Sequence, residues 1–320
     1  MRNIALLLVM AAVLAPCASA QTPPPQDQPK MGTRDSQLLL SKITVSDLAR
    51  SYEFYTKVIG LKHAVGRPGT PPPDLKSTAD FVEIPLNFTG TLADPFFVIQ
   101  TRKGVLPTKE GAALTVIGFK VPDARAAVQR VKDAGYPPRQ EPRATPPGAN
   151  VYAMVQDPDG YTVELVQAPS FPSAAAGAVA AASPDDRRPN VTGKNLIYST
   201  GLNVADMDRA LKFFIEGLGM RERNRFAPSP ATLEVWVGFA NERESEIMLV
   251  SSKNRTGPVT VGDWGRMVLY VEDVRATVDS VTKAGVGKVV RGPSAQPANK
   301  VTTANVETPD GHRIELVEFN

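Results

Sequence analysis

Apolar residues recur at helical spacing in two stretches of the chain that begin alike. Each stretch starts at an aspartate, Asp47 or Asp206, whose side chain can accept hydrogen bonds from first-turn amides, and each ends at a glycine suited to a left-handed cap. The apolar faces consist of Leu48, Tyr52, Tyr55 and Ile59 in the first stretch and of Met207, Leu211, Phe214 and Leu218 in the second. This pattern predicts two amphipathic helices, with Tyr55 and Phe214 in the core.

Two further segments, which resemble each other even more closely, predict a second pair of helices. Residues 121–135 read VPDARAAVQRVKDAG and residues 271–285 read VEDVRATVDSVTKAG, each with an aspartate cap and a terminal glycine. All four helices follow a short β-rich run and precede runs that alternate apolar and polar residues, as in 81–86, 233–237 and 247–250. The sequence therefore predicts a βαβββ unit that is repeated four times.

Pairs of these units give the predicted fold, which is of the α+β class with two domains. One unit alone leaves a half-covered sheet, whereas two units together form a curved mixed sheet around a cavity. The predicted first domain spans residues 35–167 and the second spans 194–320, with an Ala/Pro-rich linker at 168–193. Residues 21–34 are expected to form a disordered leader.

Residues 1–20 have the layout of a secretory signal peptide. Arg2 and an apolar run precede small residues at 18–20, so we expect cleavage after Ala20 and a periplasmic or secreted location. The apolar run is shorter than the roughly 20 residues of a membrane span. Lipid attachment at Cys17 is the alternative. Because Cys17 is the only cysteine, cleavage would leave no disulfide, thiolate metal site or cysteine nucleophile.

The charge balance narrows the range of partners. The formal net charge is +3, and loss of Arg2 with the signal peptide lowers it to +2, which is too small to favour nucleic acid or an anionic membrane. At 42% hydrophobic residues the chain has ample material for packed cores. We therefore expect a small-molecule ligand, no nucleic acid and no membrane span, and we leave a homodimer open.

The same hairpin sequence closes both predicted domains. DPDGYTVELV spans residues 157–166 and TPDGHRIELV spans 308–317, and each carries a glutamate, Glu164 or Glu315, at the same distance behind the turn. Pro and Gly suit a tight reversal, and Asp159 and Asp310 can bond the backbone of the turn, so sheet geometry alone explains the recurrence. His312 lies within the second turn and is expected to face solvent.

The order of these motifs resembles that of the vicinal oxygen chelate superfamily, which includes glyoxalase I, extradiol dioxygenases, fosfomycin-resistance enzymes and bleomycin-resistance proteins. The matching motifs are D-L-x-x-S-x-x-F-Y, then V-x-D with a helix and A-G, then D-P-D-G-x-x-x-E-L, and the likeness covers residues 35–167 and 194–320. The combination is specific for the fold. It is weak for function, because the superfamily hosts many chemistries and some pure binders.

The resemblance also implies where metal-using members place their ligands. They carry a His, Gln or Glu seven residues before each helix-capping aspartate and a Glu after the hairpin turn. In this chain the first-strand positions hold Leu40, Val116, Ser199 and Arg266. Leucine and valine offer no donor atom, and an arginine has no lone pair for a metal. Exchange of units between the blocks joins Leu40 to Arg266 and Glu315, or Val116 and Glu164 to Ser199, and adds no histidine. We therefore expect no metal and no cofactor.

Several roles are open for the hairpin glutamates and for the arginine. Glu164 and Glu315 are either scaffold carboxylates, groups that bind a cationic or hydroxylated ligand, general bases with a raised pKa, or metal ligands. Arg266 either forms an ion pair with Glu315 or binds a ligand carboxylate or phosphate bidentately.

The sequence favours the second hairpin as the working site. The predicted ligand-binding residues are Glu164, Ser199, Trp264, Arg266, Tyr270 and Glu315. Glu315 is expected to face Ser199 and Arg266 in an aromatic pocket, whereas Glu164 is expected to face Leu40 and Val116. Arg266→Ala is therefore predicted to weaken ligand binding, and Glu164→Gln to leave it nearly unchanged.

These observations predict an exported protein that binds a small molecule in its domain cavities without a complete metal site. The alternative is a glyoxalase- or dioxygenase-like enzyme that uses Glu315 with non-standard metal ligands or a metal-free glutamate base. The sequence assigns no catalytic residue, so it leaves enzyme and binder open.

Overall fold

The structure, a computed structural model, describes residues 36–66, 69–92, 96–107, 114–144, 150–167, 197–239, 246–262, 265–298 and 300–319. The strands of the first sequence half are β1 Gln37–Thr44, β2 Lys62–His63, β3 Phe81–Asn87, β4 Phe96–Arg102, β5 Leu114–Lys120, β6 Gln140–Ala144, β7 Val151–Gln156 and β8 Thr162–Gln167. Those of the second half are β9 Ile197–Asn203, β10 Arg221–Ser229, β11 Thr232–Gly238, β12 Glu246–Ser252, β13 Gly265–Tyr270, β14 Lys288–Gln296, β15 Val301–Glu307 and β16 Arg313–Phe319. The helices are α1 Leu48–Glu53, α2 Ala124–Asp133, α3 Met207–Lys212 and α4 Val274–Ala284.

The strands form two eight-stranded curled sheets, which confirms the predicted α+β class. The first sheet has the order β14-β15-β16-β13-β1-β4-β3-β2, and the second has the order β10-β11-β12-β9-β5-β8-β7-β6. Each sheet is built from a pair of βαβββ units, as predicted.

The units pair across the sequence halves. The first sheet joins the first unit to the fourth through β1 and β13, and the second joins the second unit to the third through β5 and β9. This pairing corrects the expectation that two consecutive units of one half build one sheet. Both sheets are complete within one chain, so a homodimer is not needed to complete them.

The predicted aspartate caps are present at all four helices. Asp47, Asp123, Asp206 and Asp273 each accept a hydrogen bond from the backbone amide three residues later, at 2.9–3.0 Å. Helix α1 continues as a π-helical segment at Phe54–Ile59, and α3 continues as one at Phe213–Gly217. These wider turns complete the helices that the sequence predicts, and Gly60 ends the first with φ 97°.

One continuous apolar core lies between the sheets and contains the helices. Ile43 on β1 and Phe119 on β5 belong to it, as do Tyr55 and Phe214, which are fully buried as predicted. Because side chains alternate along a strand, the remaining positions form a second face on each sheet. We call this face, opposite the shared core, the inner face; it carries Leu40 on the first sheet and Val116 on the second.

The two PDG turns each fasten one sheet to the other. Asp159 accepts hydrogen bonds from the backbone amide and hydroxyl of Ser46, beyond the end of β1, while the Tyr161 hydroxyl donates to the Thr44 carbonyl at 2.9 Å. Within the turn, Asp157 accepts from the amides of Asp159 and Tyr161. The turn therefore joins the second sheet to β1 of the first.

The second PDG turn repeats this arrangement with a histidine. Asp310 accepts from the Ala205 amide at 3.2 Å, and His312 Nε2 lies 2.8 Å from the Asn203 carbonyl. His312 is fully buried, so the expectation that it faces solvent is wrong. The turn docks onto the end of β9, and burial lowers the pKa of His312 to about 4. His312 is therefore neutral and occupies the position of Tyr161.

Parts of the predicted domain organisation fall outside the described residues. The signal peptide at 1–20, the leader at 21–34 and the linker at 168–193 all lie there, so they remain predictions, as do the domain bounds at 35–167 and 194–320. Among the described residues, no helix combines the length and apolar character of a membrane span.

Candidate functional site

The hairpin glutamate of the second sheet lies at the centre of a group of buried polar atoms. Glu164 on β8 is 1% exposed, and neither of its carboxyl oxygens has a hydrogen-bond partner among the described residues. Ser199 on β9 is fully buried and its hydroxyl is likewise unpartnered there. Buried polar groups are nearly always hydrogen-bonded, so these atoms mark a place where a ligand or water completes the site.

A glycine on the strand between them makes room for this pair. Gly118 on β5 is in register with Glu164 on one side and with Ser199 on the other. A Cβ at Gly118 would overlap the Ser199 hydroxyl and lie 3.4 Å from Glu164 Oε2. Both side chains therefore extend over the β5 backbone at Gly118, where no side chain is present.

A second buried carboxyl shares this inner face. Glu234 on β11 is 1% exposed, and its Oε1 atom has no partner among the described residues. Burial raises the pKa of Glu164 to about 8, and the charge of nearby Glu234 adds to the shift. Burial also raises the pKa of Glu234 to about 7. Three strands separate β8 from β11, so the curl of the sheet brings the two carboxyls within electrostatic reach.

Sequence reasoning missed Glu234. The signal was present in the alternating run Leu233 to Val237, where Glu234 shares a face with Trp236 while Val235 and Val237 enter the core. A carboxylate on the same strand face as a tryptophan indicates an acid that is buried beside an aromatic ring. Its closeness to Glu164 depends on pairing between sequence halves, which no local pattern shows.

Apolar side chains flank the carboxyl pair on the inner face of the second sheet. Val116, Trp236, Met248 and Val250 form a cluster separate from the shared core. Their low-polarity surface raises the cost of ionising a neighbouring carboxyl, because it removes the water that would solvate the charge. Trp236 adds an aromatic surface to this site.

The inner face of the first sheet carries ion pairs. Arg266 Nη2 on β13 lies 3.0 Å from Glu315 Oε2 on β16, and Lys42 Nζ on β1 lies 2.6 Å from Glu83 Oε1 on β3. Arg266 and Glu315 thus form the ion pair that the sequence left as one of two alternatives. Sequence reasoning did not single out Lys42.

The residues predicted to surround Glu315 are divided between the two sheets. Ser199 lies on the second sheet with Glu164, and not beside Glu315; Leu40 lies on the first sheet, and not beside Glu164. Both corrections follow from the pairing of units across the halves. Tyr270 lies on β13 and stacks on Phe319 with ring centroids 5.3 Å apart. Trp264 lies outside the described residues.

The donor atoms of neither sheet fit a transition metal. Among the described residues, no group of three or more His, Cys, Asp and Glu side chains lies close enough together to hold a metal ion. The first-strand positions of the second sheet offer only Val116 and the hydroxyl of Ser199, and Arg266 occupies such a position on the first sheet. A guanidinium has no lone pair to donate and repels a cation.

Comparison with known proteins assigns a family to this architecture. A lactoylglutathione lyase from Arabidopsis thaliana is 25% identical over 279 residues, which cover 86% of this chain and 88% of the relative. A probable lactoylglutathione lyase from Synechocystis is 34% identical over 124 residues, covering 38% of this chain and 94% of the relative. The structure of glyoxalase I from Zea mays superposes with a TM-score of 0.69 at 23% identity, over 88% of this chain and 92% of that chain, which shows a shared fold.

The family assignment rests on both sequence halves. The family model described as Glyoxalase/Bleomycin resistance protein/Dioxygenase superfamily matches residues 37–165 and 196–316. These two ranges contain all sixteen described strands except the last residues of β8 and β16. The chain therefore belongs to the glyoxalase/bleomycin resistance protein/dioxygenase superfamily.

Proposed function

We propose that the chain is a glyoxalase-like isomerase or lyase that moves a proton between adjacent carbons of a small hydroxycarbonyl substrate, with Glu164 and Glu234 as the acid–base pair. The observation that carries this proposal is the buried Glu164 carboxyl, unpartnered among the described residues, on the same inner face as Glu234. The likeness to lactoylglutathione lyases supports this reaction class.

The raised pKa values of the two carboxyls suit such a reaction. With a pKa of about 8, Glu164 is mostly protonated at neutral pH and can donate a hydrogen bond to a substrate carbonyl oxygen. Glu234, whose pKa burial raises to about 7, supplies the base. The Ser199 hydroxyl is a second donor beside Glu164.

The proton transfers balance without an external oxidant or reductant. Glu234 removes the proton from the hydroxyl-bearing carbon, and the Glu164 proton passes to the carbonyl oxygen, which gives an enediol. Glu234 then returns its proton to the former carbonyl carbon, while Glu164 takes back a proton from the other oxygen. A neutral carboxylic acid donor stabilises the developing negative charge on oxygen, and an apolar surrounding strengthens this interaction.

Deuterium exchange at the substrate carbon tests this proposal. Protein treated with a chelator is incubated in D₂O with 2-hydroxyacetophenone or with the hemithioacetal of phenylglyoxal and glutathione, and exchange is followed by proton NMR. We expect exchange to persist after chelation and to fall by about 10²-fold or more in Glu164→Gln and Glu234→Gln. The rate should be greatest between about pH 7 and 8, where Glu234 is ionised and Glu164 is protonated.

Two results would overturn the proposal. One is the lack of exchange with both probes in the chelated protein, and the other is exchange that depends on an added divalent metal. Ser51→Ala is a matched control, because Ser51 is a buried polar residue on α1 whose hydroxyl lies 3.4 Å from Asp159 Oδ2 in the PDG turn.

Sequestration of a small molecule is the second candidate function. The first-strand positions Leu40, Val116 and Arg266 favour it, since they lack the donor atoms that metal-dependent turnover requires. A binder would retain its ligand unchanged and would show no solvent exchange at any ligand carbon.

We also propose that the protein is exported and that its mature form begins at Gln21. The layout of residues 1–20 supports this location. The intact mass of the processed chain would show it, and a lipid-modified Cys17 would contradict it.

A further inference from the structure

We propose that the inner face of the first sheet is a second ligand site, which binds the carboxylate of an amphipathic anion between Arg266 and Lys42. This site is separate from the Glu164 and Glu234 pair and does not depend on the proposed reaction.

The first observation is the placement of two cations side by side. Lys42 on β1 and Arg266 on β13 are direct partners in the antiparallel register. Like charges directly opposite each other on neighbouring strands destabilise a sheet. Their carboxylate partners, Glu83 on β3 and Glu315 on β16, lie on the outer sides of the two strands. The charges therefore run negative, positive, positive, negative across the sheet, with the positive pair in the middle.

The second observation is the unused hydrogen-bonding capacity of the guanidinium. Arg266 Nη2 binds Glu315, but the buried Nε has no hydrogen-bond partner among the described residues. The Arg266 side chain as a whole is 38% exposed, so part of it reaches solvent. An arginine fork binds a carboxylate through two parallel N–H groups, and an anion placed here would also relieve the repulsion from Lys42.

The third observation is an apolar band beside the charges. Two residues along the strands from Lys42 and Arg266, Leu40 pairs with Val268 on β13 and with Phe96 on β4. These residues belong to an apolar cluster that is separate from the shared core and also contains Leu39, Val98, Val301, Val317 and Phe319. Tyr270 stacks on Phe319 at the same end. The inner face is thus apolar at one end and cationic at its centre, which matches an anion that carries a hydrocarbon tail.

Isothermal titration calorimetry with decanoate tests the proposal directly. We expect decanoate to bind at least 10-fold more tightly than 1-decanol or decylammonium, because only the carboxylate is attracted by both cations. The double variant Arg266→Met/Glu315→Met removes both charges of the ion pair, which avoids leaving a buried unpaired charge. We expect it to weaken decanoate binding at least 10-fold while circular dichroism shows a folded protein.

The matched control removes a cation from the other sheet. Arg143 lies over the Tyr152 ring on the second sheet at 5.2 Å, and Arg143→Met should leave decanoate binding unchanged. Lys42→Met/Glu83→Met is a second paired variant that should also weaken binding if the carboxylate lies between the cations.

Three outcomes would overturn the second site. Decanoate that fails to bind at millimolar concentration shows that no such site exists. Equal binding of decanoate, 1-decanol and decylammonium shows that the cations do not select the ligand. Loss of binding in Arg143→Met, with normal binding in both paired variants, places the ligand on the second sheet. None of these outcomes bears on the deuterium exchange at the Glu164 and Glu234 pair, so the two proposals fail independently.

Discussion

At the scale of single residues, a missing side chain shapes the carboxyl site. Gly118 has ordinary strand geometry, so its backbone does not require glycine. What requires it is the close approach of the Ser199 hydroxyl and Glu164 from the two neighbouring strands. Glycine in a strand interior often marks such an approach.

We expect Gly118→Ala to destabilise the protein by about 1–3 kcal/mol, because the added methyl group overlaps the Ser199 hydroxyl. The double variant Gly118→Ala/Ser199→Ala should recover most of this loss, since it removes that oxygen. Gly292→Ala is a control, because a Cβ there has no atom within 4 Å. Urea unfolding measures all three. Equal losses in Gly118→Ala and the double variant would show that the hydroxyl contact is not the cause.

Glu164 should also make stability depend on pH. In the folded protein its pKa is raised to about 8 from 4.5, so between these values the folded state keeps a proton that the unfolded state has lost. Stability therefore falls as pH rises through this window, by on the order of 1 kcal/mol per pH unit for one such group. Urea unfolding at pH 5 and pH 8 should show a clear decline for the native protein.

Substitution separates Glu164 from the other acids. In Glu164→Gln the decline between pH 5 and pH 8 should be smaller, although part should remain because burial also raises the pKa of Asp157 and of Glu234 to about 7. Glu53→Gln, an exposed position on α1, should keep the native decline. An unchanged decline in Glu164→Gln would mean that Glu164 is ionised in the folded protein.

At the scale of elements, the repeated PDG hairpin connects the two sheets. The recurrence was explained from sequence by turn geometry, and the turn aspartates were expected to bond the turn itself. The structure assigns that role to Asp157, whereas Asp159 and Asp310 bond the backbone beyond the first strand of the neighbouring unit. The motif therefore recurs because the chain contains two equivalent joints between the sheets.

The two joints should differ in strength. Asp159 accepts from the amide and hydroxyl of Ser46 and forms an ion pair with Arg50 at 3.1 Å, whereas Asp310 accepts one amide hydrogen bond, from Ala205, among the bonds described. We expect Asp159→Ala to cost about 2–3 kcal/mol and Asp310→Ala about 1 kcal/mol in urea unfolding. The reverse order would contradict the importance of the Ser46 contacts.

At the scale of the whole molecule, both sequence halves contribute to both sheets. Two separable halves are not compatible with this topology, because a cut between residues 168 and 193 would leave four strands of each sheet on either fragment. The core between the sheets also contains residues from both halves.

Limited proteolysis should still cut first in the segment 168–193, whose Ala/Pro-rich sequence predicts a linker. We expect the two fragments to elute together in size-exclusion chromatography and to separate only in denaturant. Elution as two folded, separate fragments would contradict the shared sheets. Cleavage inside either PDG hairpin before the linker would contradict the predicted linker.

The sequence by itself determined the units of this protein. Helix caps such as Asp47, the apolar helix faces and the alternation in the strands depend on neighbours along the chain, so they can be read locally. The repeated hairpin also singled out Glu164, and the resemblance to the superfamily indicated the positions of Leu40, Val116, Ser199 and Arg266.

Only the tertiary structure decided which units share a sheet. Register between β5 and β9 or between β1 and β13 joins residues far apart in sequence, and no local pattern specifies such a partner. For this reason Ser199 lies with Glu164 on the second sheet, and Glu315 lies with Arg266 on the first. Burial raises the pKa values of Glu164 and Glu234, and the charge of Glu234 adds to the shift of Glu164; burial and this approach are both properties of the folded chain.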